Sequence, residues 1–282
     1  REGAGTIVGV LAADNHVHTQ WSYDTDGRAS MAAACKHALA IGVPAVAFTE
    51  HLDFATWTAA DPIAATGLRD ARYDAMRPLD LSGYLECVQD CRRRYPDLRI
   101  RSGVEAGEPH LFAASLKSLL GAALLDRVLG SLHAVVCDGR LTDVDGAYEV
   151  LPADDLMRRY LTEVAALVDG SDLFEVLAHL DYPRRAWPAG AGRFDEAAFE
   201  EEYRAVLRAL AASGRVLEIN TSSPLASVTL LDWWRDEGGR VISFGSDAHV
   251  PWHVGQRFAL AADIAEAAGF RAPRDPSAFW RS

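Results

Sequence analysis

The most constraining feature of this chain is a repeated order of elements. An apolar, β-branched run is followed by a polar cluster and then by a stretch with helical spacing of its apolar residues. Parallel strands cannot be joined by a tight turn, so strand and helix in alternation mark βα units around a parallel sheet. The strand-like runs fall at residues 6–13, 43–48, 98–104, 128–132, 173–178, 215–219 and 240–245. Helices are predicted over 29–41, 82–94 (capped by Asp80), 154–168, 195–212, 225–237 and 258–268, with a long loop over 52–80. No repeat, low-complexity tract or Ser/Gly linker divides the chain. A single α/β barrel of ~250 residues accounts for most of its 282 residues.

In such a barrel all C-terminal strand ends meet at one face, and here each run ends in polar residues. Asp14, His16 and His18 follow the first, Thr49-Glu50-His51 the second and Glu105 the third. His133, His179, Asn220 and the pair Asp247 and His249 follow the others. Seven of the nine histidines (His16, His18, His51, His133, His179, His249 and His253) therefore sit at or near a strand end. Core packing explains this poorly, because histidine favours neither burial nor strands. His16 and His18, two apart on an extended chain, point to one face, as do Asp247 and His249. Either pair alone could mark a surface turn. Together with Glu105, the set reads as a site for Zn, Mn or Fe.

Composition limits the alternatives. Apolar residues make up 49% of the chain, enough to exclude disorder. Four cysteines (Cys35, Cys87, Cys91, Cys137) are too sparse for a disulfide scaffold and suit a reducing cytoplasm. Cys87 and Cys91, four apart, read as a buried helix face rather than a metal pair. No run of ~18 apolar residues predicts a membrane span, and residues 1–13 lack the positive cluster of a signal peptide. The 28 basic and 40 acidic residues give a net charge of −12, which disfavours a nucleic-acid partner. A small anionic substrate would need a local source of positive charge.

The segments Asp14-Asn15-His16-Val17-His18-Thr19, Phe48-Thr49-Glu50-His51, Gly103-Val104-Glu105, Gly130-Ser131-Leu132-His133, Ala178-His179-Leu180-Asp181 and Gly245-Ser246-Asp247-Ala248-His249 resemble the motif series of the PHP (polymerase and histidinol phosphatase) superfamily. Within it, the segment from Leu79 to Pro96, the run Leu217-Glu218-Ile219-Asn220-Thr221-Ser222 and the C-terminal Val254 to Phe270 most resemble the histidinol-phosphatase family. The resemblance spans about residues 14–270.

It implies a distorted (β/α)7 TIM-like barrel, a single PHP phosphoesterase domain over 1–282, and two to three divalent ions at the C-terminal strand ends. Carried over by motif, His16, His18, Glu105 and Asp247 would bind one metal. Glu105 would bridge to a second held by His133 and His179. A third would lie between Asp24, His51 and His249, with a helix cap as the other reading of Asp24. Glu105 and Asp247 would be catalytic, as would Arg184, the expected phosphate-binding cation. Its neighbour Arg185 is the alternative. Asn220, Trp21 and His253 are candidate substrate contacts, and Trp57, Trp187 and Trp252 are further loop aromatics.

The implied reaction is hydrolysis of L-histidinol phosphate by a metal-activated hydroxide. Alternatives are another small biosynthetic phosphate ester, a nuclease-like enzyme and a non-catalytic PHP module. One departure is that Ser222-Ser223-Pro224-Leu225 enters the next helix with no basic residue before Arg235. The expected partners are a small phosphorylated substrate and at most a few copies of the chain, with no nucleic acid and no membrane.

Overall fold

The structure, a computed structural model, describes residues 11–25, 27–54, 78–222 and 224–282. Seven parallel strands form its frame: β1 (Asp14–Val17), β2 (Ala45–Leu52), β3 (Arg99–Gly107), β4 (Arg127–Ser131), β7 (Val176–Leu177), β8 (Val216–Asn220) and β9 (Val241–Gly245). Strands β5 (Ala134–Cys137) and β6 (Arg140–Asp143) make a separate hairpin, and β10 (Trp280–Arg281) pairs antiparallel with β9. Strand β2 is buried along its whole length and matches β3 residue for residue, from Ala45 opposite Arg99 to Leu52 opposite Ala106. A strand covered on both faces has no solvent side, hence its run of Ala, Val and Phe rather than an alternation.

The two ends of the sheet meet at a shared seam. Near the N-terminal end of β9, Ile242 pairs with Trp280 of β10. Beyond its C-terminal end, Asp247 N–H donates to His16 O (2.8 Å) and His18 N–H to Ala248 O (2.9 Å). The buried carboxylate of Asp14 adds bonds from the N–H groups of Ser246 (2.9 Å) and Gly255 (2.8 Å). This seam joins the two ends of the curled sheet into the distorted (β/α)7 barrel that the family resemblance implies. It also shifts the first strand. Residues 6–10 lie outside the described set, and the described strand carries His16 within it, because Asp14 keeps that stretch extended against the segment after β9.

Helices α1 (Met31–Ile41), α2 (Leu81–Arg94), α3 (Ala113–Ala122), α4 (Val144–Ala147), α5 (Ala153–Gly170), α6 (Glu200–Ser213), α7 (Val228–Asp236) and α8 (Phe258–Ala267) cover the sheet. Their bounds follow capping chemistry. Ser30 accepts from Ala33 N–H at the start of α1, and Gly42 ends it at φ 83°, a left-handed value that glycine adopts without strain. Asp80 caps α2 through Gly83 N–H at 3.0 Å, as predicted. Helix α5 buries Leu156, Tyr160, Leu161, Val164 and Leu167, one stripe at three- and four-residue spacing, in the same core as Tyr203, Val206 and Leu210 of α6. The predicted helix over 195–212 begins later, because a 3-10 turn (Glu196–Phe199) precedes α6. Among the described residues, no helix is long and apolar enough to cross a membrane.

Candidate metal centre

The barrel delivers the strand-end residues to one cavity of about 410 Å³, lined by Tyr23, Asp24, His51, Glu105, His133, His179, Tyr182, Arg185, Asp247 and His249. His16 and His18 lie fully buried beside the same carboxylates. Two cavity residues sit in left-handed backbone, His179 at φ 24° and Asp247 at φ 52°. Non-glycine residues hold such angles at a cost, and they cluster where geometry serves a site.

Glu105 is the hub. Its Oε1 lies 2.7 Å from His179 Nε2 and 3.3 Å from His133 Nε2. Its Oε2 lies 3.4 Å from both His16 Nε2 and His18 Nε2, and 3.0 Å from His51 Nδ1. On the far side of the histidine pair, Asp247 Oδ1 is 3.6 Å from His16 Nε2 and 3.4 Å from His18 Nε2. The two Nε2 atoms are 3.0 Å apart. A third group gathers at Asp24 Oδ2, 3.2 Å from His51 Nε2 and 2.9 Å from His249 Nε2. The N-cap of α1 is Ser30, so Asp24 is not a helix cap.

These spacings fit cations. Around four-coordinate zinc, with bonds of about 2.0–2.1 Å, ligand atoms lie roughly 3.3–3.4 Å apart along the tetrahedron edges. The contacts of His16, His18, Glu105 and Asp247 scatter about that length. Among the described residues, buried Glu105 Oε2 has no hydrogen-bond partner, although three imidazole nitrogens face it. Its two oxygens serve different imidazole sets, as a bridging carboxylate requires. Other triplets that could hold an ion share these residues, notably His51, Asp53 and His133.

Electrostatics couple the set. Burial opposes charge on His16, yet Glu218, Glu105 and Asp247 outweigh it and raise its pKa well above the usual range. His51 and His133 are raised against the same burial cost by Asp24 and Glu105, and by Glu105 and Asp53. Burial likewise opposes ionisation of Glu105, but His16, His133 and His51 hold its pKa well below normal. For His179 burial prevails and the pKa falls.

Outer contacts fix the rings. Asp53 Oδ1 accepts from His133 Nδ1 at 3.0 Å and Asp53 Oδ2 from the Tyr23 hydroxyl at 2.9 Å. His18 Nδ1 and His51 N–H donate to Ser22 Oγ, which donates to Glu50 at 2.6 Å. Glu218 Oε1 accepts from His16 Nδ1 at 2.8 Å. Asp53, Glu218 and Glu50 escape a motif reading that looks only for ligands. Their signal is a carboxylate one or two positions from a strand-end histidine or asparagine.

The nine predicted ligand positions all converge. The predicted cation does not. Arg184 turns away to form ion pairs with Asp181 and Glu196 and stacks on Phe194 (4.6 Å). Both arginines lie in one 3-10 turn, Tyr182–Ala186, so adjacent side chains diverge, and Arg185 lines the cavity instead. Its guanidinium pairs with Asp247, donates to Asn220 Oδ1 (3.0 Å) and lies 4.8 Å from the Tyr182 ring. Asn220 thus holds Arg185 and, through Nδ2, Glu218 (3.0 Å).

Trp21 also departs from expectation: it is half-buried against α2, within 2.6 Å of where a Cβ on Gly83 would sit. His253 and Trp252 are exposed and do not line the cavity. Trp187 packs edge-on to Phe194 and Phe199. Trp57 lies outside the described residues.

The sequence model of the PHP domain matches residues 14–222. The chain belongs to the PHP domain family. Within the family it is 26% identical over 251 residues to the histidinol-phosphatase of Lactococcus lactis, covering 84% of each chain. It is 29% identical over 262 residues to a probable histidinol-phosphatase of Deinococcus radiodurans, covering 88% of this chain and 90% of that one. The PHP fold of the barrel is matched by the crystal structure of the Lactococcus lactis histidinol phosphate phosphatase complexed with zinc, L-histidinol and phosphate. There the TM-score is 0.77 at 25% identity, with 93% of this chain and 95% of that one covered. A Listeria monocytogenes structure, at 16% identity and a TM-score of 0.76, shares the fold.

Proposed function

We propose that this PHP protein is a metal-dependent phosphomonoesterase that hydrolyses L-histidinol phosphate to L-histidinol and phosphate. The observation that carries the reading is Glu105. Its two oxygens are shared between separate imidazole sets at the floor of a cavity whose wall bears the Arg185 guanidinium. The Lactococcus lactis relative, described with zinc, L-histidinol and phosphate, supports the substrate assignment.

In this proposal His16, His18, Glu105 and Asp247 hold one divalent ion, Glu105, His133 and His179 a second, and Asp24, His51 and His249 a third. Zinc, manganese and iron all suit such nitrogen and oxygen donors. Bound there, divalent cations lower the pKa of water toward 7 and neutralise phosphoryl oxygens. Arg185, not Arg184, supplies the side-chain cation for the phosphoryl group, oriented by Asp247 and Asn220. Tyr23 and Tyr182 line the cavity. The four cysteines are free, in keeping with a cytoplasmic enzyme.

The test is phosphate release by zinc- or manganese-loaded protein from L-histidinol phosphate, nucleoside monophosphates and sugar phosphates. Release from histidinol phosphate at least tenfold faster in kcat/KM, abolished by chelator, is expected. Faster release from another ester would overturn the substrate. Release that survives chelation would overturn the metal centre.

A further inference from the structure

Glu218 is a buried carboxylate that touches two of the proposed metal-binding groups without being one of the proposed ligands. It stands on β8, and its side chain is 1% exposed. Oε1 accepts from His16 Nδ1 at 2.8 Å. Oε2 accepts from the backbone N–H of His179 at 2.7 Å and from Asn220 Nδ2 at 3.0 Å. One end of the carboxylate therefore holds a proton on His16 Nδ1, so that Nε2, which faces Glu105 and Asp247, is the nitrogen freed for a metal. The other end clamps His179 at its strained φ of 24°.

The barrel makes room for this contact. Strand β9 lies between β8 and β1, and Gly245 stands where Glu218 reaches across it. A Cβ on Gly245 would come within 2.0 Å of Glu218 Oε1 and 2.6 Å of His16 Cβ. The close approach, rather than backbone freedom, requires glycine here, since Gly245 is not among the positive-φ glycines.

We propose that Glu218 is a positioning residue that presets His16 and His179 together, so that two adjacent metal sites form as one unit. Partners of this kind govern metal affinity by fixing ring orientation and tautomer. A glutamine in its place cannot repeat the pattern. Its single carbonyl oxygen serves either His16 or His179 with Asn220, and its NH2 opposes a donor on the other side. If the NH2 faces His16, the ring shifts its proton to Nε2 and loses the lone pair for metal.

This inference rests on the metal reading proposed above, and the experiment separates the two. Metal-stripped wild-type, E218Q and E218D proteins are titrated with zinc against a competing chelator. Circular dichroism checks that each is folded. The expected result is ~10–100-fold weaker zinc binding by E218Q at the two coupled sites, with partial recovery in E218D. Equal affinity in wild-type and folded E218Q overturns the role of Glu218 alone. No zinc binding by the wild type overturns the metal reading itself. A second measurement needs no variant: 15N spectra of ring-labelled histidine in the zinc-loaded wild type, with His16→Ala for assignment. A His16 proton on Nδ1 is expected, and a proton on Nε2 overturns the proposal even if E218Q fails to fold.

Discussion

Replacing Arg185 with alanine removes a guanidinium that lines the cavity, while replacing Arg184 removes one that faces away from it. The two variants differ by one position and should fail in different ways. In R185A, the phosphoryl group loses a charged donor held in place by Asp247 and Asn220. Loss of one such oriented donor costs about 2.7–4 kcal/mol of transition-state stabilisation, a 10²–10³-fold fall in turnover. In R184A, the carboxylates of Asp181 and Glu196 lose their shared cation. These side chains are only 14–17% exposed, so the loss is not a surface effect. Breaking a mostly buried, hydrogen-bonded pair costs about 2 kcal/mol at the low end. With an unfolding entropy of about 2.1 cal/mol/K per residue, that lowers the thermal midpoint by roughly 3–4 °C. The assays are kcat/KM for phosphate release from L-histidinol phosphate, and a thermal melt of each metal-loaded variant. The expected pattern is an R185A whose turnover falls 10²–10³-fold and an R184A that stays active but melts lower than wild type. If R184A lost activity at an unchanged midpoint while R185A stayed within threefold of wild type, the assignment from cavity geometry would be wrong.

Two further outcomes follow from the charge network. Glu105→Gln leaves one oxygen for two imidazole sets, so zinc stoichiometry by elemental analysis should fall and phosphate release should drop more than ~100-fold. The melting of the metal-stripped protein should depend on pH. Burial opposes charge on His16, His51 and His133, yet facing carboxylates raise them above 6.5, so their stabilisation is complete below that value and is lost as pH climbs through the raised values. Glu105, Asp24 and Asp247 are shifted down from 4.5 and 3.8, so their stabilisation is present above those values and is lost in acid. The stripped protein should therefore melt highest between about pH 4.5 and 6.5 and lower at pH 9. A midpoint that rises steadily to pH 9 would contradict the network.

The strand ends were legible because a parallel barrel turns sequence order into spatial convergence. A polar residue after each apolar run needs no side-chain detail to be placed at one face. Side-chain direction in short turns was not legible: Arg184 and Arg185 are equivalent by spacing, and their separation depends on Asp181 and Glu196 capturing one of them. The outer carboxylates were present in the text of the motifs. They were not assignable, since the pairing of Glu218 with His16 spans 202 positions and depends on the gap left by Gly245. The hairpin of β5 and β6 carries its own signal, Asp138-Gly139 between β-branched runs, with both residues at positive φ as a type I′ turn requires. A reading tuned to parallel units passes over it. Strand β10 has no such signal, because two residues paired to the edge of β9 have no periodicity to detect.

The acidic balance of the chain, −12 overall, makes one more quantity measurable. Around the cavity, carboxylates such as Asp24, Asp53, Glu105, Glu218 and Asp247 outnumber the guanidinium of Arg185. Without metal, the facing carboxylates favour protons on His16, His51, His133 and His249, raising their pKa values against the cost of burial. Ligating imidazoles must be deprotonated, so metal and proton compete for the same nitrogens. Loading the proposed metal sites at pH 7 should displace protons from these imidazoles and raise the charge of the cavity, so that it attracts a phosphate dianion. The proton count is read directly by adding zinc chloride to the stripped protein in weak buffer with an indicator dye. Inorganic phosphate should bind only after loading. Release of fewer than one proton per chain at full occupancy would mean that the imidazoles were neutral beforehand. The positive charge for substrate would then have to come from Arg185 alone.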